Sequence, residues 1–308
     1  MGSIEIDDFD TPPAPPRHLY KYLSADRIGN VLEGGTVRFT ALLNTNDSFE
    51  VRSTFKKLAG PRFLKMLAEQ MDVTVGEANI DAMIAEQLKE AGLGWFPKEI
   101  ALQMIEAQHG GEFLSMVRAQ MQTAVDTLML PYLNDPKNAE TLLEKLGREL
   151  LCFSLSERFD SAPMWAHYAA NHAGFVVAFD TEHEWFKRRK NGQKTCIQKV
   201  TYFDGIVEEP LENVSAALIS KTTDWAYEKE WRLYVKKDQV DATFGDANDP
   251  VHVLNFPESA VERVIVGSKA TAETVSRIKS VLSRKYPHAR LTRADPNRNT
   301  HSYDEVEF

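Results

Sequence analysis

The chain has 308 residues, enough for one large domain or two modest ones. With 43% hydrophobic and 26% charged residues it has the make-up of a soluble globular protein, and no apolar run approaches the roughly 18 residues of a membrane-spanning helix. A net charge of −9, from 36 basic and 45 acidic residues, argues against a general binder of nucleic-acid backbones but leaves room for a local basic groove.

The opening segment is acidic and proline-rich and lacks the basic and apolar stretches of a secretory leader. Ile6 stands where a myristoylation signal needs Ser or Thr. Residues 1–16 read as a flexible arm ending in "PPAPP", a short polyproline segment. "RHLYKYL" follows as a strand. Ser24 is placed as an N-cap, and "ADRIGNVLE" sets Ile28, Val31 and Leu32 on one helical face. Gly34-Gly35 ends that helix, and "TVRFTAL" is the next strand, so residues 17–54 form a strand–helix–strand unit closed by the loop "LNTNDSFE".

Residues 55–150 change character. Phe63, Leu64, Met66 and Leu67, then Ile80, Met83, Ile84 and Leu88, then Leu142, Leu143 and Leu146 recur at helical spacing. "NDPKNAETLLEKL" adds a helix start with Asp135 as N-cap and Pro136 in the first turn. The region reads as an inserted helical subdomain.

Strands return over 151–308 as "LLCFSL", "GFVVAFD", "QKVTYF", "EWRLYV" and "VERVIVG". A helix from Thr271 to Tyr286 buries Val275, Ile278, Val281 and Leu282, and "HARLTRA" closes as a strand. The expected fold class is α+β, a mixed or antiparallel sheet carrying a helical insertion.

Chemistry-bearing patterns are few. Cys152 and Cys196 are too few for a disulfide framework and lack metal-ligand spacing, which points to a reducing cytosol. Cys152 sits in an apolar strand, the setting of an inert buried thiol. "VGSKAT" at 266–271 lacks the upstream glycine of a phosphate loop and reads as a structural turn. His167 and His172, five apart, do not stack on one helical face, and no metal site is expected.

Two stretches hold more. In "YEKEWRLYV", extended alternation sends Trp231, Leu233 and Val235 to one face and Glu228, Glu230, Arg232 and Tyr234 to the other, where the bland reading is a solvated face with a salt bridge. In "APMWAHYAANHAGF", a helix from Ala162 to Asn171 puts Trp165 and Tyr168 about one turn apart with His172 a further turn along. Such rings either plug the core or stack on a planar ligand.

The order "LYKYLSADRIGNVLEGGTVRFT", "NDSFE", "LCFSLSE", "MWAHYAANHAGFVVAFD", "YEKEWRLY" and "VIVG" resembles the bacterial family catalogued as domain of unknown function 2971, with Ser48 where that family usually has proline. More distantly, the chain resembles the ADP-ribosyltransferase superfamily, whose split sheet surrounds an NAD cleft. "HLYKYLSADRIGNVLEGG" is similar to the first element, "CFSLS" to the middle one and "YEKEWR" to the last.

That resemblance implies an NAD-consuming transferase, of the kind that serves as a toxin or phage-defence effector, with an acceptor on protein or nucleic acid. Glu230 would bind the ribose 2′-hydroxyl and stabilise the oxocarbenium-like transition state, Glu228 would orient or deprotonate the acceptor, and Ser154 would fix Glu230. The first-strand position falls among His18, Lys21 and Tyr22, with Tyr22 counted among the catalytic candidates. Trp165, Tyr168 or Tyr22 would stack on a ring of NAD beside His167. Lys21, Arg38 or Arg52 would meet the pyrophosphate, Arg232 would neutralise the glutamates, and Asn46, Asp47 and Glu50 would line the rim. Two rival readings are a metal-dependent nuclease or hydrolase using Asp47, Glu50, Glu228 and Glu230, and a non-enzymatic nucleotide-sensing or interaction protein.

Overall fold

The computed structural model describes residues 13–45, 135–187, 189–190, 193–204, 219–246 and 249–308, with isolated positions between 85 and 132. The chain divides into two compact units: residues 1–53, 143–205 and 215–308 form the first, and 54–142 with 206–214 the second. Most of the helical block expected over 55–150 lies outside the described residues. The helix expected after Asp135 is seen as α1, Pro136–Glu149, with the Lys137 backbone N–H donating to Asp135 Oδ1 at 2.9 Å. No helix among the described residues is long and apolar enough to cross a membrane.

The first unit is built on an α+β frame. In chain order its strands are β1 (His18–Leu23), β2 (Thr36–Ala41), β3 (Leu150–Ser156), β4 (Phe175–Asp180), β5 (Arg189–Lys190), β6 (Gln193–Lys194), β7 (Cys196–Lys199), β8 (Thr201–Tyr202), β9 (Ser220–Lys221), β10 (Glu230–Lys236), β11 (Ala242–Phe244), β12 (Val251–Asn255), β13 (Val261–Val266), β14 (Arg290–Asn297) and β15 (Ser302–Glu307). Helix α2 (Ala162–Tyr168) precedes β4, and α3 (Ala272–Lys285) joins β13 to β14. Nine strands run in the order β11-β12-β2-β3-β1-β4-β13-β14-β15, and β10, flanked by β7, pairs with β3 off this path. The sheet is mixed: β13 and β14 are parallel, as a helical crossover requires, and its other pairings are antiparallel.

Both faces of the central strands are covered, which explains their unbroken apolar runs. Alternation along β4 sends Phe175, Val177 and Phe179 into a cluster with Phe153, Leu155, Trp231, Leu233 and the α3 residues Ile278, Val281 and Leu282. Val176 and Ala178 face the other way, against Tyr20, Tyr22, Met164 and Trp165. On α3, Val275 is half-buried, packed at the edge of the first cluster.

The helix begins at Thr271, whose hydroxyl accepts from the Thr274 N–H at 3.1 Å. Thr271→Ala is expected to cost about 1 kcal/mol by removing that cap, measured as a shift in urea midpoint at unchanged slope.

Several local expectations change. The stretch after Ser24 is a 3-10 turn, Ala25–Arg27, and a π turn, Gly29–Glu33, not an α-helix. Gly29 and Asn30 weaken helix propensity there, and the Ser24 hydroxyl bonds Asp26 instead of capping. Ile28, Val31 and Leu32 are buried as expected. Helix α2 stops at Tyr168, not Asn171, because Ala170, Asn171 and His172 take left-handed φ values of 47°, 52° and 70°. "QKVTYF" is divided between β7 and β8, with the buried Val200 between them. Strands β5, β6, β9, β11, β12 and β15 are additional to those expected.

Candidate functional site

Strand β3 carries the feature on which the site depends. Along one edge it pairs with β10 from Leu150 to Ser156. The other edge is shared: β2 pairs at Leu151 and Cys152, and β1 at Ser156. Ser154 falls between the two ladders, where the strands fork. Its carbonyl accepts from Lys21 Nζ at 2.8 Å, so the lysine side chain takes the place of a missing ladder bond.

The fork opens into a cavity of ≈ 200 Å³. Strand β1 contributes Tyr20, Lys21 and Tyr22, β2 and its following turn contribute Thr40, Asn44 and Thr45, β3 contributes Ser154 and Ser156, and α2 contributes Met164 and Tyr168. Lys221, Glu228 and Glu230 complete the lining.

The two glutamates reach the cavity by different routes. Glu228 ends a 3-10 turn, Thr223–Glu228, and Lys229 then adopts a left-handed φ of 45° before β10 begins at Glu230. Glu228 is therefore not part of the strand alternation expected from the sequence. Its backbone carbonyl accepts from Ser156 Oγ at 2.6 Å, and the Glu230 N–H donates to the Tyr202 hydroxyl at 2.8 Å, fixing both backbones.

The glutamate side chains share one cation. Lys221 Nζ lies 2.6 Å from Glu228 Oε2 and 2.8 Å from Glu230 Oε2. Arg232 grips Glu230 in bidentate fashion, Nε to Oε1 at 2.8 Å and Nη2 to Oε2 at 3.1 Å. The Tyr168 hydroxyl donates to Glu228 Oε1. Glu228, Glu230, Lys221 and Arg232 are all buried, at 4%, 4%, 3% and 0% exposure, so the solvated-face reading of this strand is corrected. The sheet's second face is covered here, and the charges are neutralised within the protein instead of by water.

Electrostatics follow from these contacts. Burial pushes the Glu230 carboxyl up, but Arg232 and then Lys221 outweigh it and hold the group well below the usual carboxylate range. Burial, then the neighbouring Glu228 charge, raises the Tyr168 phenol far above its ordinary value, so it stays a donor. Burial also raises Tyr22, whose hydroxyl donates to the Arg158 carbonyl at 2.8 Å. Lys21 is lowered, by burial first, with Glu230 opposing.

The structure thus brings Lys21, Tyr22, Ser154, Tyr168, Glu228 and Glu230 around one cavity, with Arg232 behind Glu230. Trp165 does not join them. Its ring is 0% exposed in the core, edge-on to Tyr22, and its Nε1 donates to the Phe159 carbonyl at 2.6 Å. His167 is exposed on α2 and stacks on Tyr227 with centroids 6.1 Å apart, outside the cavity lining. Arg38 is exposed on β2. Asn46, Asp47, Glu50 and Arg52 lie outside the described residues. His18 pairs with Glu262 at the start of β1.

Sequence reasoning missed Lys221, the cation that joins the two glutamates. It stands in a two-residue strand with no periodic signal, and only its position seven residues before Glu228 could have pointed to it. Among the described residues, no group of three or more His, Cys, Asp or Glu side chains could hold a metal ion.

The fold and this buried ion cluster define an α+β protein with a polar cavity at a sheet fork. A family model described as "Protein of unknown function (DUF2971)" matches residues 164–233. That segment runs from α2 through most of β10 and contains Tyr168, Lys221, Glu228, Glu230 and Arg232, which supports the resemblance to that family. No curated protein and no solved structure matches the chain.

Proposed function

We propose that the fork cavity takes the nicotinamide–ribose half of NAD and that the protein is an NAD-consuming enzyme of ADP-ribosyltransferase type. The observation that carries this reading is convergence: first-strand Lys21 and Tyr22, middle-strand Ser154 and the late glutamates line one cavity at a split in the sheet. Ligand pockets for drug-sized molecules run to about 300–1,000 Å³. A cavity of ≈ 200 Å³ suits one half of the dinucleotide, with the remainder outside.

The chemistry asks for a fixed negative charge beside the ribose as the glycosidic bond breaks. Glu230 supplies it. Arg232 and Lys221 keep the carboxyl ionised and immobile, and a carboxylate with about four acceptor sites retains capacity for a ribose hydroxyl. Glu228, held by Tyr168 and Lys221, orients the attacking group of a protein or nucleic-acid acceptor. Preorganised charge of this kind is worth on the order of 10²–10³ in rate.

Labelled NAD incubated with the full chain and host lysate tests the reading. Label transfer or nicotinamide release is expected from the wild type and falls to background in Glu230→Gln. Because that substitution disturbs the ion cluster, Ser154→Leu, which narrows the cavity without removing a charge, is run beside it with a thermal melt of each. Turnover that survives both substitutions would sink the proposal.

A further inference from the structure

The two lysines of the cavity are held differently. Lys221 is bracketed by Glu228 and Glu230. The partners of Lys21 Nζ are the Ser154 carbonyl at 2.8 Å and the face of the Phe153 ring, 5.0 Å from its centroid. Among the described residues no carboxylate pairs with it, since Glu230 is committed to Arg232 and Lys221, and Glu228 to Lys221 and Tyr168.

The surroundings therefore favour an amine over an ammonium. Lys21 is half-buried on β1 with its Nζ tucked against Ser154 and Phe153, it shares its cavity with a second cation, and its hydrogen bond to Ser154 survives deprotonation because one N–H is enough to make it. Desolvation beside another cation is a recognised way to make a lysine nucleophilic. Burial, with a smaller contribution from Lys221, lowers its proton affinity against the opposing pull of Glu230, Cys152 and Glu228. The remaining hydrogen and the lone pair point away from Ser154. Thr40 and Asn44 supply neutral polar groups around the same space, fitted to a small, oxygen-bearing molecule.

We propose that Lys21 is a carbonyl-reactive amine and that the fork cavity captures small hydroxyaldehydes as an imine on Nζ. The nitrogen lone pair forms a bond to the carbonyl carbon, the C=O π electrons pass to oxygen, and an amine hydrogen moves to that oxygen to give a carbinolamine. The second amine hydrogen leaves with the hydroxyl as water, and the C=N bond forms. No oxidant or co-reactant is needed. This activity does not rest on NAD turnover and is tested without NAD.

The test is reductive trapping. Full-length protein is mixed with glycolaldehyde and cyanoborohydride at pH 7, and its lysines are mapped by peptide mass spectrometry over time. A lysine of ordinary pKa is neutral in fewer than about one molecule in a thousand at this pH, so Lys21 is expected to be modified at least about ten-fold faster than the exposed Lys187, Lys229 and Lys279. The preference disappears in urea, where the cavity is gone, and Lys21→Arg removes the fast-reacting site without adding another. Labelling of Lys21 no faster than of the exposed lysines, or a preference that persists in urea, overturns the proposal.

Discussion

Replacing Arg232 by Met lowers the unfolding free energy by about 3–5 kcal/mol, the cost of stranding one partner of a buried ion pair. Arg232 is 0% exposed and holds both carboxylate oxygens of Glu230, which is itself 4% exposed. Methionine fills much of the volume but leaves Glu230 with Lys221 alone, and Lys221 is already shared with Glu228. Urea denaturation at pH 7 measures the loss.

The pH dependence has a definite sign. In the wild type the Glu230 carboxyl lies below its ordinary value of 4.5, so its contribution is fully present above that pH and is lost as pH falls through the folded-state value. Without Arg232 only Lys221 opposes the burial that pushes the carboxyl up, so most of this contribution is missing at neutral pH. The difference between wild type and variant is therefore widest near pH 7 and narrows below about pH 4.5. A difference that stays constant from pH 7 down to about pH 3 would mean that the pair contributes packing and not charge.

Gly174→Ala is the second large effect, a loss of about 3 kcal/mol or more. A methyl group there meets the Leu23 carbonyl oxygen at 2.1 Å and the Ala169 carbonyl oxygen at 3.0 Å, both backbone atoms that have nowhere to move. The left-handed turn through Ala170, Asn171 and His172 folds tightly against the ends of β1 and β13. Gly267 is constrained in the same place, since a methyl group on it meets the His172 carbonyl oxygen at 2.1 Å. Gly29→Ala is the control: the nearest atom is the flexible end of Arg277 at 3.5 Å, so the change is neutral or slightly stabilising. If Gly174→Ala and Gly29→Ala melt together, the close approach of this turn to the sheet is wrong.

The sequence made the central strands and α3 legible because each buries a continuous or regularly spaced apolar set. It also marked the site's two ends, Tyr168 and the Glu228–Glu230 pair, through unusual composition. It misjudged their surroundings for physical reasons. Period-2 alternation distinguishes faces but not whether the second face is covered, so Glu230 and Arg232 read as solvated when they are buried. Trp165 and Tyr168 looked equivalent on one helix, yet only Tyr168 reaches the cavity, because Trp165 is turned into the core. Lys221 was invisible since ion pairing between segments leaves no periodic trace. Short edge strands such as β11 and β15, and the divergence of β1 from β2 at Ser154, depend on tertiary pairing that local propensity does not encode.

Calorimetric titration of NAD into the full chain tests the proposed ligand site in the fork cavity. Saturable binding at one site per chain is expected in the wild type and its loss in Ser154→Leu, with a thermal melt confirming that the variant is folded at the titration temperature. No binding by the wild type, or equal binding by both proteins, would contradict it.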